Sequence, residues 1–184
     1  MLETLSTLAI AVPTLLLSVN VALATVVTKF SRPKSVIEKE KVCYLRLDKS
    51  AGRDNADNLK ESFLLGKSRM LTDGDACTIF VTGGILEEVW EAHDELENLG
   101  YKTRIVSVHT LKPFDSYAVL NAVEQTGGIV SVEENTLDGG LGSLIAEILL
   151  DNGIFPKKFL RIGLNSEFSS IVGSQKYLRK CYSL

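Results

Sequence analysis

The sequence predicts an α/β fold: three α/β/α layers around a mainly parallel sheet, preceded by a strand–helix–strand piece. Three observations predict it. First, Cys77–Thr82, Arg104–Val108, Ile129–Val132 and Phe159–Ile162 are short apolar runs, as strands covered on both faces require. Second, the segments between them carry apolar residues at helical spacing. Third, glycines stand at the junctions, where one element must stop before the next begins. Strands and helices alternating at this spacing give right-handed crossovers and parallel neighbours.

The first piece reads as a buried strand, Leu8–Val12, a turn at Pro13-Thr14, a helix from about Leu15 to Phe30, and a strand over residues 42–47. No charged residue occurs from Leu5 to Thr28, which also raises a membrane span or signal peptide. Three features oppose that alternative: no positive segment precedes the run, Pro13 splits it, and seven Ser, Thr and Asn residues dilute it. A core helix is therefore expected, with no membrane partner. Residues 48–62 are polar and lack periodicity, so a domain boundary is expected there.

Beyond the boundary the pattern is regular. Cys77–Thr82 is a strand closed by Gly83-Gly84. Leu86, Val89, Trp90, Leu96 and Leu99 make a helical stripe that ends before Gly100. Arg104–Val108 is the second strand. Asp115 or Ser116 can cap a helix bearing Ala118, Val119, Ala122 and Val123, which stops at Gly127-Gly128. After the third strand, Ile129–Val132, come the helical stripe Leu144, Ile145, Ile148 and Leu149, the strand Phe159–Ile162 and a terminal helix, Gln175–Tyr182.

Composition narrows the function. At 184 residues the chain suits one domain plus a fragment, and it can bury a core without disulfides or metal. Its 45% hydrophobic and 23% charged residues exclude a disordered chain, and a net charge of −3 argues against a broad nucleic-acid-binding face. Cys43, Cys77 and Cys181 are widely spaced, which fits buried thiols in a reducing cytoplasm. His93 and His109 are the only histidines, so no histidine-based zinc site is expected.

Chemistry could gather at one place. Gly139, Gly140, Leu141, Gly142 and Ser143 follow the third strand and open a helix, where backbone amides can meet an anion. Glu133, Glu134 and Asp138 just upstream would repel phosphate, so a tightly packed turn is the plainer reading. Adjacent carboxylates on a strand point to opposite faces, so Glu133 and Glu134 are not expected to form an acid/base pair. One of them should face the interior and need a hydrogen-bond partner. His109 and Lys112 stand at the same end of the second strand; His109 could be a general base or a hydrogen-bonded structural histidine. The acidic helix with Glu87, Glu88, Glu91, Asp94, Glu95 and Glu97 reads as a solvated face, with a surface for a basic partner as the sharper alternative. No nucleophile–base arrangement, metal cluster or phosphate loop names a reaction.

Several motifs in order resemble a known family. Phe63–Leu71, Asp75–Gly84, Val108–Asp115, Ser131–Asn135 and Gly139–Ser143 are similar to the transketolase C-terminal domain in order and spacing, over about residues 62–170. Residues 1–50 look like the incomplete end of the family's preceding pyrimidine-binding domain, 51–62 like its linker, and 63–184 like its C-terminal domain. The resemblance implies a C-terminal section of a thiamine-diphosphate enzyme that moves a two-carbon ketol unit between sugar phosphates. It implies that thiamine diphosphate and magnesium are bound only in the assembled enzyme, with none held by this chain alone. The family's Gly-Asp-Gly…Asn motif is not matched, since Gly74-Asp75 is followed by Ala76, and the portion with the activating glutamate is expected to be missing. The chain is thus expected to be inactive alone, with no catalytic, cofactor-binding or metal residue of its own. Its expected role is structural, in a homo- or hetero-oligomer with an N-terminal transketolase section.

The sequence departs from the family at three places. Glu133-Glu134-Asn135 stands where Glu-Glu-His is usual, so any role of that histidine is lost or changed. Leu15-Leu16 follow Pro13-Thr14 where Asp-Pro is common. Lys49, with Arg46 nearby, replaces an arginine that contacts substrate phosphate; lysine can neutralise phosphate but cannot grip it as a fork. Alternatives are a stand-alone binding or assembly module, a phosphate-ligand enzyme using His109 and the Gly139–Ser143 loop, or the corresponding part of a 1-deoxy-xylulose-phosphate synthase or a 2-oxo-acid dehydrogenase beta subunit.

Overall fold

The computed structural model describes residues 64–184. The expected elements at Leu8–Val12, Leu15–Phe30 and residues 42–47, the linker, and the candidates Arg46 and Lys49 lie outside the described residues.

In chain order the elements are β1 (Arg69–Thr72), β2 (Cys77–Thr82), α1 (Leu86–Asn98), β3 (Thr103–Ser107), α2 (Ser116–Gln125), β4 (Ile129–Thr136), α3 (Leu141–Asp151), β5 (Phe159–Leu164) and α4 (Gln175–Cys181). The sheet runs β1-β3-β2-β4-β5. Four strands are parallel, and β1 lies antiparallel on the β3 edge. This is the expected α/β architecture with one strand more than the apolar runs foretold.

The extra strand is β1. Its four residues, Arg-Met-Leu-Thr, are too few and too mixed to show a period. It is completed by a side chain: at the register shift after Met70, Thr72 Oγ1 donates to Thr103 O at 3.0 Å and accepts from Ile105 N at 2.9 Å. The second parallel strand is Thr103–Ser107, one residue earlier than expected. The third runs on through Glu133, Glu134 and Asn135 to Thr136, because β5 continues to pair with it as far as Leu164. These polar residues belong to the ladder although their side chains hide it from a hydropathy reading.

Alternation along β2 splits the core in two. Phe80 is fully buried with Val106, Val119, Ala122, Leu141, Ile145 and Leu149, on the side of α2 and α3. Ile79 and Val81 face the other side, with Ile85, Val89, Ile105 and Val132 beneath α1. Trp90 packs against this second cluster. His93 is buried with it, its Nδ1 2.6 Å from Thr103 Oγ1 and its ring edge-on to Trp90. The outer positions Glu91, Asp94, Glu95 and Glu97 are exposed.

Asp115 precedes α2 but does not cap it through its side chain. It turns instead to the segment before β1. Its Oδ2 accepts from the Ser68 amide at 3.0 Å and the Ser68 hydroxyl at 3.1 Å, and Lys67 Nζ lies 3.5 Å from Oδ1. Gly66, at φ +84°, lies against Pro113, 3.1 Å from where a Cβ would stand. Partial burial opposes ionisation of Asp115, yet Ser68 and Lys67 together hold its carboxyl below the usual range. Its contribution to stability is therefore fully present above the unfolded carboxylate value of about 3.9 and is lost as pH falls through the lower folded value. Asp115→Asn should lower stability at neutral pH and shrink the loss on acidification; identical urea midpoints for both proteins from pH 7 to 3 would refute this clasp.

Candidate functional site

Open parallel sheets place ligands outside the carboxyl ends of their strands, where neighbouring crossovers diverge to opposite faces. Here that point lies between β2, which leads into α1 on one face, and β4, which leads into α3 on the other. Glu133 and Glu134 stand on β4 at this place, and their side chains part as strand geometry demands.

Glu133 turns toward α3 and is only 1% exposed. Its Oε2 accepts from the Leu141 amide at 2.7 Å and its Oε1 from the Gly142 amide at 2.9 Å. These two amides open α3 and have no partner within the helix. A carboxylate there also meets the favourable end of the helix dipole. The anion site suggested by the glycine-rich loop is thus filled by the chain itself.

The glycines make room for this contact. A Cβ on Gly140 would stand 2.0 Å from Glu133 Oε2, and one on Gly142 would stand 2.6 Å from Ser131 Oγ. Gly139 holds φ at +74°, where only glycine is unstrained. Ser143 Oγ donates to Leu137 O at 2.9 Å and accepts from the Gly139 amide at 3.1 Å and Arg161 Nη2 at 3.0 Å. Arg161 also donates to Leu137 O, so its side chain ties the loop to β5.

Glu134 turns to the other face. It accepts from Arg179 Nε at 2.7 Å and Gln175 Nε2 at 3.0 Å, both on α4. Arg179 Nη1 donates to Glu88 Oε1 on α1 at 3.2 Å. Asn135, at the departure from Glu-Glu-His, is exposed.

The structure therefore brings together Glu133, Gly139, Gly140, Gly142 and Ser143. It sets His109 and Lys112 apart from them, beyond β3, with β2 between β3 and β4. His109 is half-buried, its Nδ1 2.8 Å from Thr110 Oγ1, and Lys112 is exposed. Sequence reasoning missed Arg161, Arg179, Gln175 and also Gly163, where a Cβ would stand 3.2 Å from Glu133 Cγ. Arg161 was detectable as a lone charge within the apolar run Phe-Leu-Arg-Ile-Gly-Leu. Arg179 was not, because its partners stand 45 and 91 residues away.

These residues hold elements together rather than present a reactive group. They do not fit thiamine diphosphate: the amides that could cradle a phosphate are bonded to Glu133. Among the described residues no group of three or more His, Cys, Asp or Glu side chains could hold a metal ion. Among the same residues no helix is long and apolar enough to cross a membrane.

Residues 66–176, which carry the five strands of the described residues, both carboxylates and the glycine loop, match the family model described as transketolase, C-terminal domain. The chain belongs to this family. Among curated proteins this transketolase C-terminal domain is similar to a 6-deoxy-6-sulfo-D-fructose transketolase subunit of a Clostridium species, 37% identical over 142 residues, covering 77% of this chain and 42% of that protein. It is 32% identical over 121 residues to an apulose-4-phosphate transketolase subunit of Phocaeicola vulgatus, covering 66% of this chain and 39% of that one. It is 36% identical over 136 residues to a 1-deoxy-D-xylulose-5-phosphate synthase of Syntrophotalea carbinolica, covering 74% and 21%. Among solved structures it resembles a split-gene transketolase described as an inactive beta4 tetramer, with a TM-score of 0.59 and 30% identity over 67% of this chain and 38% of that one. The chain thus spans less than half the length of each of these relatives.

Proposed function

We propose that this chain is the C-terminal section, or subunit, of a transketolase-like thiamine-diphosphate enzyme that transfers a two-carbon ketol unit between sugar phosphates. Its role is structural: it supports assembly with an N-terminal transketolase section in a homo- or hetero-oligomer. The observation that carries this reading is a family match whose similar proteins include separate transketolase subunits. In this reading the N-terminal section holds thiamine diphosphate and magnesium in the assembled enzyme. Residues 1–50 are the end of a pyrimidine-binding-type domain, 51–62 a linker and 63–184 the C-terminal domain, working in the cytoplasm. Arg46 and Lys49 are the candidates for contact with substrate phosphate.

A second reading, the C-terminal part of a 1-deoxy-xylulose-phosphate synthase, is favoured by the similarity to such synthases. Ketol transfer should be assayed with thiamine diphosphate, magnesium, and ketose- and aldose-phosphates. The purified chain should show no turnover alone and should gain it when an N-terminal transketolase section from the same source is added. Turnover by the chain alone overturns the structural role. Synthase activity in the mixture, with pyruvate and glyceraldehyde phosphate, selects the second reading.

A further inference from the structure

The sheet has two edge strands, and they are guarded differently. β1 is four residues long, opens on a charge, Arg69, and breaks register after Met70. Shortness, charge and irregularity are what keep an edge from pairing with another chain. β5 is longer, and its one charge does not guard it: Arg161 is bent back onto Leu137 and Ser143. The Ile129 amide donates to Lys158 O, so the even-numbered residues of this parallel ladder spend their backbone groups on β4. Phe159, Arg161 and Gly163 therefore turn their N–H and C=O groups outward. Among the described residues no strand lies beyond them, and Leu160 is 55% exposed on the face away from α3.

The two ends of β5 are complementary to each other. Phe155, Lys157 and Lys158 are exposed at its entry, and Glu167 and Phe168 at its exit. Antiparallel pairing of two copies about a two-fold axis lays the entry of one strand beside the exit of the other. Phenylalanine then meets phenylalanine, and the lysines meet a glutamate. A parallel second copy would set lysine beside lysine. The register is also selected, because only odd-numbered residues carry outward groups. Centring the axis on Arg161 would place two arginines opposite each other, which destabilises a strand pair. Centring it on Ile162 sets Ile162 on the partner's Ile162, Leu160 on the partner's Leu164, and Arg161 opposite the partner's Gly163, which has no side chain to oppose it.

We propose that the β5 edge is a homodimer interface, where two copies pair antiparallel across Ile162 and their sheets become one. The occupant is a second copy of this chain. The inference deepens the assembly role proposed above and rests on it, but the two fail separately. Ketol transfer does not report the β5 pairing, and the pairing is read without any activity.

Cross-linking of the full chain tests it, in a Cys181→Ser background that removes an exposed thiol. Facing residues of a non-hydrogen-bonded antiparallel pair have Cα atoms about 4.5 Å apart, within the disulfide range of about 4.4–6.8 Å. Ile162→Cys should therefore form a disulfide-linked dimer under oxidised glutathione. Leu160→Cys lies about 14 Å from its own copy in this register and should not. The exposed flanks give a second measurement that leaves the core untouched. Lys157→Glu and Glu167→Lys should each weaken the dimer about tenfold in sedimentation equilibrium, and the double variant should restore it. No cross-link at 162, equal cross-linking at 160 and 162, or charge variants without mutual rescue would overturn the proposal. So would a chain monomeric at every concentration, the result expected if a strand of another protein covers this edge.

Discussion

Glu133→Ala is expected to destabilise the domain by about 4 kcal/mol, chiefly by unfixing the start of α3. The carboxylate accepts from two buried amides at 2.7 and 2.9 Å. A buried donor left without a partner costs about 1–3 kcal/mol, and bonds to a charged acceptor are the stronger kind. The same change removes the anion that complements the α3 dipole, and leaves a void beneath Gly140 and Gly163. Glu133→Gln keeps one acceptor oxygen and should lose about half as much. Both are read from urea midpoints at constant slope, with exchange at the Leu141 and Gly142 amides as the local check. A Glu133→Ala protein within 1 kcal/mol of the parent, a limit set at about the loss of one neutral hydrogen bond, would sink this account.

Gly140→Ala should cost about 3 kcal/mol in the parent protein and far less once Glu133 is alanine. The glycine's own backbone angles are ordinary, φ −86° and ψ −162°, so the methyl group is excluded by its neighbour and not by strain. That neighbour is Glu133, with its carboxylate atoms 2.0, 2.6 and 2.7 Å from the new Cβ. Overpacking of this kind costs about 1–3 kcal/mol even where the surroundings can shift, and a carboxylate bonded to two amides cannot shift freely. Removing the carboxylate removes the clash, so the two substitutions should couple by about 2 kcal/mol in a double-mutant cycle. Additive costs would show that the loop relaxes independently of Glu133.

Much of this was legible beforehand, for definite reasons. β2 and α1 carry strong periods of their own, and Cys77–Thr82 and the Leu86 start coincide with the expected bounds. The parting of Glu133 and Glu134 follows from strand geometry alone, and so does the need of the inward one for a partner. Which partner it finds could not be read, because that depends on how α3 is docked. β1 stayed hidden because it owes its place to Thr72 bonding across to β3 and to Asp115 gripping Ser68. Arg179 stayed hidden for the same reason on a larger scale: its meaning lies in Glu88 and Glu134, which the sequence sets far from it.

The direction of β1 decides where the domain's two ends emerge. Arg69 pairs with Ser107, so the chain enters β1 at the carboxyl end of the parallel strands, the end where α4 also lies. Neighbouring strands are about 4.8 Å apart, which puts the entry strand within about 15 Å of the β2/β4 crevice. A short Gly/Ser bridge could span that gap, so the domain's ends could be joined and new ones opened elsewhere. The opposite rim is the place to open them: its turns, through Gly74 against Lys102 and Gly128 against Lys158, meet neither end. β1 is thus entered on the same side of the sheet as the terminal helix.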